Sequence, residues 1–278
     1  MDIIENGYRP ATEVKGVLTT EIFKNPKPED VIHYFRSEKS IVPELQQAIQ
    51  ATVLISKDRN LPSGSGVIVN YEGKKYVITA THVIGDLIVD ANTVEHCYYK
   101  DRKGEIKEVD LTQADLLYES TTAEEKGLQA TDVAIFPFEG DNEGVEMSSL
   151  DINPDDNQAG AAIGFPGEFH EAWKKKLDPL VSMGSIYKKK PKEVTPALRA
   201  ILDEYSQKTR RKEGQDLHVY FTGRVVPGNS GGPLVNKDGK ALAVCHGPRG
   251  HLGKEDGIER FSDFRPILKE IVQIPSPS

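Results

Sequence analysis

Gly64–Ile84 reads GSGVIVNYEGKKYVITATHVI, and its pattern points to the fold. Two runs rich in Val, Ile and Tyr flank Glu72-Gly73-Lys74. β-Branched and aromatic side chains fit a pleated surface, and a short turn containing glycine joins antiparallel neighbours. The stretch therefore predicts a β-hairpin. Its second arm, Tyr76-Val77-Ile78-Thr79, ends in the small residues Ala80 and Thr81 and then presents His82.

The same texture recurs on both sides. ATVLIS (51–56), IKEVDL (106–111), DVAIFPF (132–138), AAIGFPG (161–167), LVSMGSIY (180–187), LHVYFTGRVV (217–226), GGPLVN (231–236) and ALAVCHG (241–247) are short apolar runs bounded by Gly, Pro and Asp. Many short strands with such turns predict an all-β sandwich or barrel. Two segments have helical spacing instead. TPALRAILDEYSQKTRRK (195–212) opens with a Thr-Pro cap pair, and FSDFRPILKEIVQI (261–274) predicts a C-terminal helix. Residues 1–48 read as an extension that straps or caps the body. Within it, EDVIHYFRSE (29–38) predicts a short helix and Val42-Pro43-Glu44 the start of another. The expected organisation is thus an N-terminal extension (1–48), a first β unit (49–150) and a second (151–278). The second unit carries a basic helical insertion (188–216) and the C-terminal helix.

Composition narrows the classes. The chain has 278 residues, 37% of them hydrophobic and 28% charged, with a net charge of −8. An acidic chain lacks the general basic surface that phosphate contacts need, so nucleic acid is not an expected partner. No apolar run reaches the roughly 18 residues of a membrane helix, so no membrane partner is expected. MDIIENGYRPATEV has neither a basic nor an apolar signal region. With only Cys97 and Cys245, this favours two buried thiols in a reducing, cytoplasmic compartment. One region breaks the acidic balance: Lys174–Lys212 holds 12 basic and 4 acidic residues. It reads either as a solvated insertion or as a dock for an acidic protein partner. Trp173 and Tyr187 give it little aromatic support for stacking on nucleic acid.

Three segments carry chemistry. In Pro227-Gly228-Asn229-Ser230-Gly231-Gly232-Pro233-Leu234, glycines surround a serine. Serine needs a base, an exposed position and donors for a developing oxyanion to act as a nucleophile, and a glycine-rich turn can aim the amides of Gly228 and Ser230 at one point. His82 is the candidate base, because imidazole exchanges protons near neutrality. Asp132, directly before a buried strand, is costly there unless paired, and an imidazole N–H is a fitting partner. Taken singly, each has a bland reading: a hairpin, a partly buried histidine, a turn residue. Together they follow the chain order His, Asp, Ser of the triad found in chymotrypsin-type barrels.

ITATH, DVAIF and GNSGGPL together resemble the trypsin-like peptidase family, nearest to HtrA/Deg-type protease domains. The resemblance covers about residues 50–272. It implies a double β-barrel of the chymotrypsin type and a serine endopeptidase acting on protein or peptide substrates. His82, Asp132 and Ser230 would form the triad, and Gly228 and Ser230 the oxyanion hole. It implies neither a metal nor an organic cofactor. It also places Arg224, six residues before Ser230, at the base of the primary substrate pocket, with Cys245 and His246 along its wall. Gly247 would pair its backbone with substrate. Arg224 then faces solvent, pairs with a protein acid or awaits an acidic substrate side chain. The chain departs from the pattern in two places. Thr81 stands where the family often has Ala. Asn229 replaces the Asp that in trypsin proper pairs with a freshly cut N-terminus. No PDZ-like domain is expected after the barrels. The rival expectation is a protease-fold binding or regulatory module whose catalysis is weak or switched on by a partner.

Overall fold

The computed structural model describes residues 13–25, 27, 30, 33–39, 42–57, 63–85, 95–119, 132–149, 158–187, 217–246 and 259–273. The expected hairpin is present. β4 (Gly64–Tyr71) and β5 (Lys74–Thr79) pair antiparallel, with Val67 opposite Ile78 and Val69 opposite Tyr76. Glu72 (φ 51°) and Gly73 (φ 77°) both turn left-handed. Such two-residue turns match the twist of the strands they join.

Around this hairpin lie β3 (Thr52–Ser56), β6 (His96–Lys100), β7 (Ile106–Asp110), β8 (Tyr118–Glu119) and β9 (Ala134–Pro137). They line up in the order β7-β6-β3-β4-β5-β9-β8, and β10 (Val145–Glu146) runs parallel to β4. A second sheet contains β11 (Gln158–Gly164), β12 (Leu180–Tyr187), β13 (His218–Phe221), β14 (Pro233–Asn236), β15 (Ala241–Cys245) and β16 (Glu259–Ser262). Its order is β12-β11-β14-β15-β16-β13, and β13 pairs back onto β12 through Ile186–Phe221 and Tyr187–Tyr220. This return closes a barrel and removes its sheet edges. The fold is the all-β double barrel of chymotrypsin type, with the second barrel closed and the first sheet rolled but open.

The N-terminal extension is built into this body. β1 (Val14–Lys15) pairs with β2 (Tyr34–Arg36), and β2 adds to β12 with Phe35 opposite Val181. The helix expected over 29–38 is therefore a strand at Tyr34–Arg36, followed by a 3-10 turn at Ser37–Lys39. The reason is tertiary: Tyr34 and Phe35 are both buried, and the strand satisfies its backbone on β12. The second expected start is met by α2 (Pro43–Ala51), which follows α1 (Thr20–Lys24) and has proline in its first turn. Leu18, Phe23, Phe35 and Leu45 of the extension join Val53, Ile68, Phe136, Met183 and Val244 in one core cluster. That cluster draws on both sheets.

α3 (His170–Trp173) and α4 (Arg265–Gln273) complete the described helices. The C-terminal helix starts later than its spacing predicts, because Phe261 and Ser262 belong to β16. The insertion 188–216, with its basic clusters and expected helix, lies outside the described residues. No described helix is long and apolar enough to cross a membrane.

One contact shows how closely the extension is seated. Gly239, in the turn between β14 and β15, has φ 73°, and a Cβ there would lie 1.7 Å from the Glu44 carbonyl oxygen in α2. Gly239→Ala should lower unfolding stability by about 2–4 kcal/mol in urea titration. An unchanged midpoint would show that α2 does not press on this turn.

Candidate active site

His82 sits in the single 3-10 turn Thr81–Ile84 that follows β5. Thr81 anchors that turn, its hydroxyl donating to the Val133 carbonyl at 2.9 Å. Asp132 immediately precedes the buried run that becomes β9. It has a left-handed backbone (φ 44°), which Asp tolerates better than most residues. The His82 backbone N–H donates to Asp132 Oδ1 at 3.0 Å, and His82 Nδ1 lies 2.7 Å from Oδ2. The two contacts fix both the chain and the ring. The acid is buried, whereas the His82 side chain is 43% exposed.

A second histidine reaches the same carboxylate. His246 Nδ1 lies 3.5 Å from Asp132 Oδ2 and 3.3 Å from Ser262 Oγ. Its ring packs edge-on to His218. Burial pushes the Asp132 carboxyl up, but the hydrogen bond from His82 and the charges of His246 and His82 outweigh it and hold the group below its ordinary value. The carboxylate is thus ionised at neutral pH.

Ser230 lies on the turn leading into β14. Gly228 has φ 98° and Gly231 φ 79°. A Cβ on Gly228 would fall 2.5 Å from the Phe165 carbonyl oxygen, and one on Gly231 2.2 Å from the Ser65 carbonyl oxygen. Both sites are therefore closed to any other residue. Asn229 N–H donates to the Val226 carbonyl, Gly231 N–H to that of Cys245 and Gly232 N–H to that of Asn229. Among the described residues no acceptor takes the amides of Gly228 or Ser230.

The Ser230 turn and the His82 turn are packed against each other. Ser65 N–H donates to the Ser230 carbonyl at 2.7 Å. A Cβ on Gly64 would lie 2.6 Å from Val83, the neighbour of His82, and 2.9 Å from the Ser230 oxygen. Among the described residues no hydrogen bond joins Ser230 Oγ to the His82 ring. Catalytic contacts of this kind are often long before substrate arrives.

The residues expected to line the pocket separate in the structure. Cys245 is 1% exposed and packs inside the barrel with Val219, Leu234 and Phe261. Its backbone clamps the Ser230 turn from both sides, through Gly231 N–H and Gly232 O. His246, directly after β15, turns the other way, toward Asp132. Gly247 lies outside the described residues. Arg224 follows β13, and Glu259 on β16 lies within its electrostatic reach. Burial pushes the Glu259 carboxyl up to about 8, opposed by the Arg224 charge. Cys97 and Cys245 form no disulfide. Trp173 is buried, its indole N–H on the Pro166 carbonyl, so it offers no stacking face.

Sequence reasoning missed Ser65 and Tyr34. The Ser65 hydroxyl donates to the Gly228 carbonyl at 2.7 Å and accepts from Phe165 N–H at 2.9 Å. The Tyr34 hydroxyl donates to Asn229 Oδ1 at 3.0 Å. Neither had a local signal, because both act on partners a hundred or more residues away.

Residues 64–244 match the trypsin-like peptidase domain. The chain belongs to the trypsin-like peptidase family. Its fold is similar to the crystal structure of Deg5, with a TM-score of 0.51 at 17% identity over 82% of this chain and 90% of that one. It is also similar to the serine endoprotease from Yersinia pestis, with a TM-score of 0.50 at 18% identity over 83% of this chain and 66% of that one. No curated protein sequence matches the chain significantly.

The buried Glu259 gives a pH test. Its folded pKa of about 8 exceeds its ordinary 4.5, so the folded state holds more protons than the unfolded chain between those values. Stability should then fall as pH rises through that window. Glu259→Gln removes this dependence. Its stability relative to wild type, from denaturant titrations, should increase from pH 5 to pH 8. A constant difference would place Glu259 in a well-solvated or fully paired setting.

Proposed function

We propose that this peptidase-family protein is a serine endopeptidase, with Ser230 as nucleophile, His82 as general base and Asp132 as the group that orients the base. The carrying observation is the doubly held His82–Asp132 pair packed beside a serine turn with two uncommitted amides. With Nδ1 turned to the carboxylate, the proton on that nitrogen is held in place and Nε2 is left basic. Ser230 Oγ attacks the peptide carbonyl carbon as its proton moves to His82 Nε2. The carbonyl oxygen becomes an oxyanion, received by the N–H groups of Gly228 and Ser230. His82 returns the proton to the leaving amine, and the C–N bond breaks. Water, deprotonated by His82, then attacks the acyl-enzyme and releases the acid and Ser230.

Substrate choice belongs to the same proposal. Arg224 stands at the base expected for the primary pocket, with the buried Glu259 within its electrostatic reach and mostly protonated at neutral pH. Above about pH 8, where Glu259 ionises, it would compete with a substrate carboxylate for the guanidinium. Any acidic preference set by Arg224 would therefore weaken as pH rises.

Ser230→Ala should abolish cleavage of an unfolded protein substrate while leaving circular dichroism unchanged. Asp132→Asn should lower kcat by about 10^4-fold, as loss of the orienting acid does in the triad template. Proteolysis by purified Ser230→Ala at the wild-type rate would sink the assignment.

A further inference from the structure

The N-terminal extension reaches the residue beside the nucleophile. β2 is held on β12 by backbone pairing, which points Tyr34 into the space under the nucleophile turn. Both Tyr34 and Asn229 are at most 1% exposed. The phenol donates to Asn229 Oδ1 at 3.0 Å, and the same oxygen accepts a weaker contact from Val226 N–H at 3.4 Å. On the other side of Asn229, a Cβ on Gly164 would come within 2.8 Å of Nδ2. The Asn229 side chain is thus caught between β11 and the extension, and its Nδ2 has no hydrogen-bond partner among the described residues. Among the described residues no charged group bonds to it, so its orientation rests on the Oδ1 contacts. Burial pushes the Tyr34 phenol well up, keeping it a donor throughout the working range.

The consequence falls on the neighbouring amides. Asn229 lies between Gly228 and Ser230, and its own backbone closes the turn through Val226 and Gly232. A rotated Asn229 side chain would let that turn relax, and with it the two N–H groups that receive the oxyanion. We propose that Tyr34 is a positioning residue: through Asn229, the N-terminal strand fixes the Gly228–Ser230 turn in its oxyanion-binding form. This inference rests on the proposed role of Ser230. The extension then acts as a built-in strap that sets catalytic competence and touches no substrate.

Tyr34→Phe is the test, because it deletes only the hydroxyl. The ring remains in its cluster with Leu54, Phe165, Trp173 and Val226. The variant should stay folded by circular dichroism, with kcat down by roughly 10- to 100-fold and KM changed less than about twofold, the size of effect expected when a buried acceptor loses its donor. In an Asn229→Ala background, the same change should have no further effect on kcat. A purely structural role predicts a lower melting temperature with wild-type kcat per folded molecule, and that result overturns the proposal. So does an additive loss in the double variant. If the wild-type protein hydrolyses neither esters nor proteins, the assignment of Ser230 fails. Crystal structures of the wild type and Tyr34→Phe then decide the positioning role. A shifted Gly228–Ser230 turn in the variant upholds it, and an unchanged turn refutes it.

Discussion

Every polar group of Ser65 is hydrogen-bonded, and three of its four contacts join the first sheet to the second. Its N–H donates to Ser230 O, its hydroxyl donates to Gly228 O and accepts from Phe165 N–H, and its carbonyl accepts from Thr79 Oγ1. The residue is fully buried, where an unmet hydrogen bond costs far more than a met one contributes. The seam therefore has little freedom to slide. Gly64, Gly231 and Gly232 allow the approach, since a Cβ on any of them would meet backbone or side-chain atoms below 3 Å. The sheet bearing His82 and the barrel bearing Ser230 are set against each other by this junction.

Electrostatics complete what packing begins. Asp132 is a buried acid on a left-handed residue, a combination that costs free energy on both counts. Its two contacts to His82 and the approach of His246 offset the burial and keep it charged. The two side chains sit differently: the His82 imidazole is partly open to solvent, while the Asp132 carboxylate stays shielded from solvent screening. His246 extends this arrangement inward to Ser262 and His218, so the pair is backed by a polar layer inside the fold.

Legibility in the sequence followed locality. The hairpin, the strand runs and the Gly-flanked serine were readable because their physics is local: alternation, turn chemistry and positive φ. His82 and Asp132 were readable only as a set, by order and by resemblance. Tyr34–Arg36 was misread as helix because its strand character comes from the edge of β12, which local propensity does not contain. His96–Lys100 and Glu259–Ser262 were missed for a related reason, since HCYYK and ERFS carry polar residues that only pairing explains. His246 was assigned to the pocket wall from alignment with the family strand. Its ring direction depends on alternation about β15, with Cys245 turned into the barrel and His246 toward the acid. Ser65 and Tyr34 were invisible because a hydroxyl gives no sequence sign of a partner across the chain.

The account stands on Ser230 being a nucleophile activated by His82. A fluorophosphonate reacts covalently with such a serine, and mass spectrometry of the digested adduct locates the label. The account predicts a single phosphonyl adduct on the peptide containing Ser230, absent from a folded His82→Ala variant. A protein that stays unlabelled, or that carries the adduct on another residue, would contradict it.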